Sequence, residues 1–343
     1  MGGVSIAKGG PLGTLVDTMT GTARLDPDVA LEFEPYRSEL TAYCYRMLGS
    51  PFEAEDAVQE ALVRAWRGFE SFEGRAALRS WLYRIASNVC FDMLKGRKRR
   101  AMPIDVTEVG HADGHVDPPT AAVDWIGPIN DKRILPEHGD PAEVAEARES
   151  VRLALVAALQ YLPARQRAVL ILREVLRWKA TEVAELLDTT VVSVNSALQR
   201  ARATLAERNV SAASVAIPAD DAQRELLDRY VDAFERFDID AMVALLHEDV
   251  VMSMPPWPLW MRGRHEYDIW LRGPGSECEG SKLAPVEVNG VAGFAQWRRS
   301  PAGGYDAWAI HVLQVSGDAI VGMDFFVNAE FFPLFDLPVR LDA

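Results

Sequence analysis

Between residues 56 and 100 two helical patterns follow one another and end in a run of cations, and that order restricts what the chain can become. In the first, Val58, Ala61, Leu62, Ala65, Trp66 and Phe69 recur at helical spacing and form an apolar face. Asp56, Gln59, Glu60, Arg64 and Arg67 fall on the opposite side. After the loop Phe72-Glu73-Gly74-Arg75, a second pattern turns Leu78, Trp81, Leu82, Ile85, Val89 and Met93 inward and Arg84, Asn88, Asp92 and Lys95 outward. It runs into Lys95-Gly96-Arg97-Lys98-Arg99-Arg100. A mixed, partly acidic face suits docking on protein, whereas an amide flanked by cations suits nucleic acid.

A second constellation lies downstream. Apolar periodicity predicts a helix over 180–187, a turn Asp188-Thr189-Thr190, and a longer helix over 191–207, which is helix-turn-helix spacing. The longer helix is expected to bury Val191, Val194, Leu198, Ala201 and Leu205, leaving Ser193, Asn195, Ser196, Gln199, Arg200 and Arg202 for the groove and backbone. Asn and Gln pair in bidentate fashion with adenine, and Arg pairs with guanine or phosphate.

Both stretches resemble bacterial sigma factors of the extracytoplasmic-function type. AEDAVQEALVRAW followed by WLYRIASNVCFDMLKGRKRR resembles their promoter-opening region, and residues 162–205, including Arg173-Glu174 and Arg200-Ala201-Arg202, resemble their promoter-recognising fourth region, in the family's order. The resemblance implies that Asp56, Gln59, Glu60 and Arg64 dock on the clamp helices of the largest subunit of core RNA polymerase. It implies that Phe72, Arg75, Arg79, Arg84 and Asn88 capture an unstacked base of the −10 element, with Arg97, Lys98, Arg99 and Arg100 on phosphates. Helix 191–207 would then lie in the major groove of the −35 element, through Ser193, Asn195, Ser196, Gln199, Arg200 and Arg202. Positions commonly glycine or basic in this family's recognition helix are Val192, Asn195 and Ala197 here, so the promoter sequence that is read is left open.

The remaining chain divides by composition. Residues 1–26 read as a disordered leader, 27–100 as the first helical domain, 101–140 as a flexible Pro/Gly/Asp/His-rich linker, 141–208 as the second helical domain and 209–219 as a connector. Within the linker, Trp125-Ile126-Gly127-Pro128 is the segment expected to dock on something, and one helix is expected from Pro141 to Pro163. From residue 220 to 343 a helix pair leads into short alternating segments with Gly or Asn at their boundaries, which predicts an antiparallel sheet. RYVDAFERFDIDAMVALLHEDVVMSMPP resembles the SnoaL-like, polyketide-cyclase-like branch of the nuclear-transport-factor-2 superfamily. The fold class that follows is multidomain: two all-α domains and a C-terminal α+β, cone-shaped NTF2-like domain.

Such a cone can carry a pocket, with Met254, Trp257, Trp260, Trp270, Trp297, His311, Asp324 and Phe326 as candidates and Asp324 with His311 as a conceivable proton-handling pair. The family resemblance implies instead a domain that adjusts activity in cis by contact with the sigma domains and linker, and a small ligand of that domain stays open as an alternative. No catalytic residue, cofactor or metal is expected. The three cysteines, Cys44, Cys90 and Cys278, lack metal spacing, and no apolar run approaches the ~20 residues of a membrane span. The chain reads as cytosolic. Its net charge of −14 argues against indiscriminate binding of nucleic acid. The rivals to a polymerase-directed factor are a helix-turn-helix regulator acting without polymerase and a cyclase or isomerase with an N-terminal regulatory domain.

Overall fold

The computed structural model describes residues 31–69, 72, 74, 77–121, 124–135, 140–207 and 221–342. The expected leader, the 209–219 connector, Val123 and Arg75 fall outside them.

Three helices make the first domain: α1 (Arg37–Leu48), α2 (Pro51–Gly68) and α3 (Leu78–Leu94). The turn between α1 and α2 is local chemistry. Gly49 adopts φ +72°, the Ser50 hydroxyl accepts the Glu53 N–H, and Pro51 opens the next helix. In the core Tyr43 meets Tyr83 edge-on at 5.2 Å, and its hydroxyl bonds the Ser87 hydroxyl at 2.7 Å.

The second domain contains α4 (Pro141–Glu149), α5 (Leu153–Gln160), α6 (Ala164–Leu170), a π-helical turn Ile171–Val175, α7 (Ala180–Leu186) and α8 (Val191–Glu207). The single helix expected over 141–163 is broken at 150–152. Donors from elsewhere occupy the backbone there. Arg46 donates to the Ser150 carbonyl at 3.0 Å and to its hydroxyl at 2.5 Å, and the Asn289 amide donates to the Val151 carbonyl at 2.7 Å.

In the C-terminal domain α9 (Asp221–Glu235) and α10 (Ile239–Ala244) precede β1 (Leu246–Ser253), β2 (Trp260–Arg262), α11 (Arg264–Arg272), β3 (Lys282–Val288), β4 (Val291–Arg299), β5 (Tyr305–Ser316), β6 (Ala319–Phe326) and β7 (Arg340–Leu341). The order is β2-β1-β6-β5-β4-β3, with β7 on β5. The sheet is not wholly antiparallel as expected. The β3–β6 meander delivers β6 alongside β1 running the same way, so that pair is parallel.

Alternation along the strands gives the sheet two apolar faces. One packs on α9–α11 through Phe294, Leu313, Met323 and Phe325. The other, through Val288, Ile310, Val312 and Phe326, joins a core continuous with both helical domains. The linker completes that core. Expected to be flexible, it instead lies along the protein, because its many turn residues leave backbone groups free to pair with neighbours. Ala101 and Trp125 form a bridge, Asn130 bridges to Val288, Gly110 donates to the Trp260 carbonyl at 2.8 Å, and Thr120 donates to the Pro256 carbonyl at 3.0 Å. Ile126 and Ile129 are buried, each worth about 1.5–3 kcal/mol of transfer free energy.

Candidate nucleic-acid interface

The residues expected at the −10 element are mostly engaged with other parts of the chain. Phe72 packs on Trp81 at 4.9 Å and Phe69 at 6.0 Å. Arg79 forks onto the Glu39 carboxylate at 2.6–3.0 Å and stands 5.4 Å over the rings of Tyr83 and Trp178, the latter from the second helical domain. Arg84 donates to the Glu185 carbonyl at the end of α7 at 2.6 Å. Arg97 pairs with Glu53, and Arg99 covers the Tyr161 ring at 3.6 Å. Arg100, 8% exposed, reaches Glu53 at 2.8 Å and the Trp125 carbonyl at 3.0 Å. Only Asn88 and Lys98 of this described set are exposed without such a contact being seen.

The −35 candidates are in the opposite condition. Ser193, Asn195, Gln199, Arg200 and Arg202 are exposed and Ser196 is half-buried, along the outer face of α8. Val194, Leu198 and Ala201 pack inward, as the periodicity predicts, together with Ala197, which was not expected there, while Leu205 is half-buried. Val191 does not: expected in the core, it is 37% exposed, because it sits in the first turn before the helix meets its neighbours. Thr190 caps the helix by accepting the Ser193 N–H at 3.1 Å. Among the described residues, the one ion pair on this face joins Arg202 to Glu174 at 2.6 Å.

The expected polymerase-docking residues Asp56, Gln59, Glu60 and Arg64 are exposed on α2. The start of the same helix is covered. Glu55 pairs with Arg133 of the linker, and Phe52 stacks on Phe331 at 5.3 Å.

Within this shared core, the polar junction of the three domains is the tip of the β3–β4 hairpin, which sequence reasoning did not single out. Asn289 (φ +50°) and Gly290 (φ +72°) make the tight turn that an Asn-Gly pair favours. A Cβ on Gly290 would stand 2.4 Å from the Arg148 carbonyl oxygen, so only glycine fits. The Asn289 side chain accepts the Ile129 N–H at 3.0 Å and donates to the Tyr45 hydroxyl and the Val151 carbonyl, each at 2.7 Å. The Tyr45 hydroxyl in turn donates to the Gly127 carbonyl at 2.9 Å. The Gly290 N–H donates to the Asp131 carboxyl at 2.9 and 3.1 Å. Burial pushes that carboxyl up to about 7, Glu287 adds to the rise, and the Gly290 bond and Arg148 oppose it. One amide thus satisfies the first domain, the linker and the second domain together. The Asn-Gly turn was legible, but not its partners, which lie 138 to 244 residues away in sequence.

The cone candidates do not converge. His311 pairs with Phe325 across β5–β6 while Val312 pairs with Asp324, which puts the two polar side chains on opposite faces of the sheet. His311 is 0% exposed on the face toward α9, bonded to Gln296 at 2.9 Å and Tyr230 at 3.3 Å, and burial lowers its pKa to about 3. Asp324 takes a hydrogen bond from Ser253 at 2.5 Å, and burial raises it to about 6. Trp297 faces the shared core, donating to the Pro338 carbonyl at 2.9 Å. Trp260 donates to the linker's Thr107 carbonyl at 3.0 Å, while Trp257 packs beside the other cluster. The conceivable acid–histidine pair is therefore not formed.

Comparison with known proteins gives three matches to family models along the chain: Sigma-70 region 2 over residues 33–100, Sigma-70 region 4 over 152–205 and a SnoaL-like domain over 227–323. The ECF RNA polymerase sigma factor SigG of Mycobacterium tuberculosis (strain CDC 1551 / Oshkosh) is 40% identical over 322 residues, covering 92% of this chain and 85% of SigG. SigW of Bacillus subtilis (strain 168), another ECF RNA polymerase sigma factor, is 29% identical over 170 residues, 50% of this chain and 82% of its own length. Among solved structures, the extracytoplasmic function sigma factor SigJ of Mycobacterium tuberculosis aligns over 90% of this chain and 99% of its own with a TM-score of 0.57; at 23% identity this bears on the fold. No helix among the described residues is long and apolar enough to cross a membrane.

Proposed function

The chain belongs to the ECF RNA polymerase sigma factors, and on that premise we propose that it directs core RNA polymerase to promoters while its C-terminal domain restrains it in cis. Docking on the clamp helices of the largest subunit falls to Asp56, Gln59, Glu60 and Arg64. The −10 strand falls to the surface around Arg79, Arg84, Asn88 and the 97–100 cations, and the −35 duplex to α8. The observation that carries the restraint is the capture of Arg79, Arg84, Arg97, Arg99 and Arg100 by carboxylates, rings and carbonyls of the same chain.

Magnitudes decide what holds this arrangement. The arginine contacts to the second domain, Arg79 over Trp178, Arg84 on the Glu185 carbonyl and Arg99 over Tyr161, are partly or fully exposed and worth about 0–1 kcal/mol each. The Glu53 pairs lie within the first domain, so the captured arginines do not close the molecule. Asn289 leaves two buried backbone groups, the Ile129 N–H and the Val151 carbonyl, unsatisfied if it withdraws, at about 1–3 kcal/mol apiece. The hairpin tip is therefore the restraint, and the arginines are its consequence. The C-terminal domain acts by contact and not by turnover, a reading supported by the separation of His311 from Asp324 across the sheet.

Run-off transcription with core polymerase on the chain's own upstream region tests both parts. Full chain, Asn289→Ala chain and a chain ending at Glu207 are compared. Specific transcripts from any of them support the sigma activity, and a higher yield from the second and third supports restraint. Equal yields overturn restraint. Silence from all three, with no association with core enzyme, overturns the whole reading in favour of a regulator acting without polymerase.

A further inference from the structure

We propose that Val192, with Val191 beside it, reads a thymine of the upstream promoter element through its C5-methyl group. The inference rests on the reading of α8 as the promoter-recognising helix and adds to it a base class and the residue that selects it.

Val192 is 75% exposed, the most exposed large apolar side chain among the described residues, and its neighbour Val191 is 37% exposed. Both lie in the first turn of a 17-residue helix, directly after the Thr190 cap. Steps of three, four and seven residues place Val192 on the same helix face as Asn195, Ser196 and Gln199. The opposite face packs Val194, Ala197, Leu198 and Ala201 into the domain. Valine is a mediocre helix former, since its branched Cβ is stiffened against the preceding turn. Val194 offsets that by burial, whereas Val192 gains no comparable burial within the chain.

A single exposed apolar residue is ordinary on a protein surface. Two in succession, at the end of a recognition helix whose residues meet base edges, are in a position with a specific use. Base edges in the major groove offer mainly donors and acceptors. The one apolar feature of a standard base there is the thymine methyl group. A valine side chain can neither donate nor accept a hydrogen bond, so at that edge it distinguishes bases by this methyl group alone. Asn195, Ser196 and Gln199 then supply polar readout of the neighbouring pairs, on a face that the −10 contacts leave uncovered.

The test uses holoenzyme assembled from core polymerase and the full chain, selecting from duplexes randomised over the upstream element. One position is expected to be fixed as thymine. Replacing that thymine by deoxyuridine, which lacks only the methyl group, is expected to lower affinity about fourfold, equivalent to the ~0.8 kcal/mol of one buried carbon. Val192→Ser should bind thymine and deoxyuridine alike, and Val192→Thr, which keeps one methyl group, should recover part of the preference. A selected element indifferent to deoxyuridine at every thymine overturns the methyl reading and leaves recognition by α8 standing. So does a Val192→Ser chain that still discriminates. Selection of no upstream element removes the reading of α8, and the proposal with it.

Discussion

The two surfaces expected to read DNA are built from the same kinds of residue, arginines with an amide among them, yet they stand in different states. On α8 all the readers but the half-buried Ser196 project into solvent, and the one ion pair there among the described residues, Arg202 with Glu174, is itself exposed. On α3 and the segment after it, Arg79, Arg84, Arg97, Arg99 and Arg100 all have partners within the chain, several from the second domain and the linker. A helix entering a major groove needs only an unobstructed ridge. Capture of an unstacked base needs a cleft, and a cleft can be filled by the chain's own second domain. On the proposed reading, restraint would fall on the site that closes around its ligand.

The largest effect should come from breaking the contrast at its source. Asn289→Ala is expected to orphan the Ile129 N–H and the Val151 carbonyl and to speed hydrogen exchange of the Ile129 and Gly290 amides about 100-fold, as expected for roughly 3 kcal/mol of lost closure. Unchanged exchange would mean that the apolar core, and not the tip, holds the domains. Glu53→Gln acts only on the −10 side. By releasing Arg97 and Arg100 from Glu53, a residue of the same domain, it should raise affinity for a single-stranded −10 oligonucleotide about 5-fold, measured by fluorescence anisotropy, with closure unchanged. Equal affinities would show that those arginines are not limiting.

A third test uses pH. In the closed form the Asp131 carboxyl is pushed up to about 7 from 3.8; in the opened form it returns toward the lower value. The closed form therefore holds a proton that the open form has released. Its advantage is complete below about 4, declines as pH rises through 7, and is flat above. Energy transfer between labels on the two helical domains should report progressive opening from pH 5 to 8. Asp131→Asn should abolish that slope and keep the chain closed at pH 8. A slope that survives the substitution assigns the titration elsewhere. The smallest effect belongs to the open side. Glu174→Gln frees Arg202 from a pair worth about 0.5 kcal/mol or less, so −35 duplex affinity should rise less than twofold, with thermal stability unchanged.

Much of this was legible from local pattern. Periodicity located α2, α3 and α8 and the helix-turn-helix spacing, because those depend on neighbours within a few residues. Trp125-Ile126-Gly127-Pro128 announced itself as a docking segment by being apolar in a polar stretch, and it lies in the shared core, where Gly127 leaves room for Pro51 and Phe331. What failed depended on distant partners. Whether His311 and Asp324 share a face is set by strand register, and a slip of one residue reverses it. The break at 150–152 is imposed by Arg46 and Asn289, which no window around Ser150 contains. The linker's order, likewise, comes from surfaces it meets only after folding.

The hairpin tip also has a place in time. Ribosomes deliver the chain from its N-terminus, and Asn289 emerges roughly 80 residues after α8 is complete, which at about 5–20 residues per second is roughly 4–16 s. During that interval both DNA-reading domains exist without the element that fastens them. Every newly made molecule thus passes once through an unfastened youth, and polymerase that meets it then competes with the chain's own unfinished end.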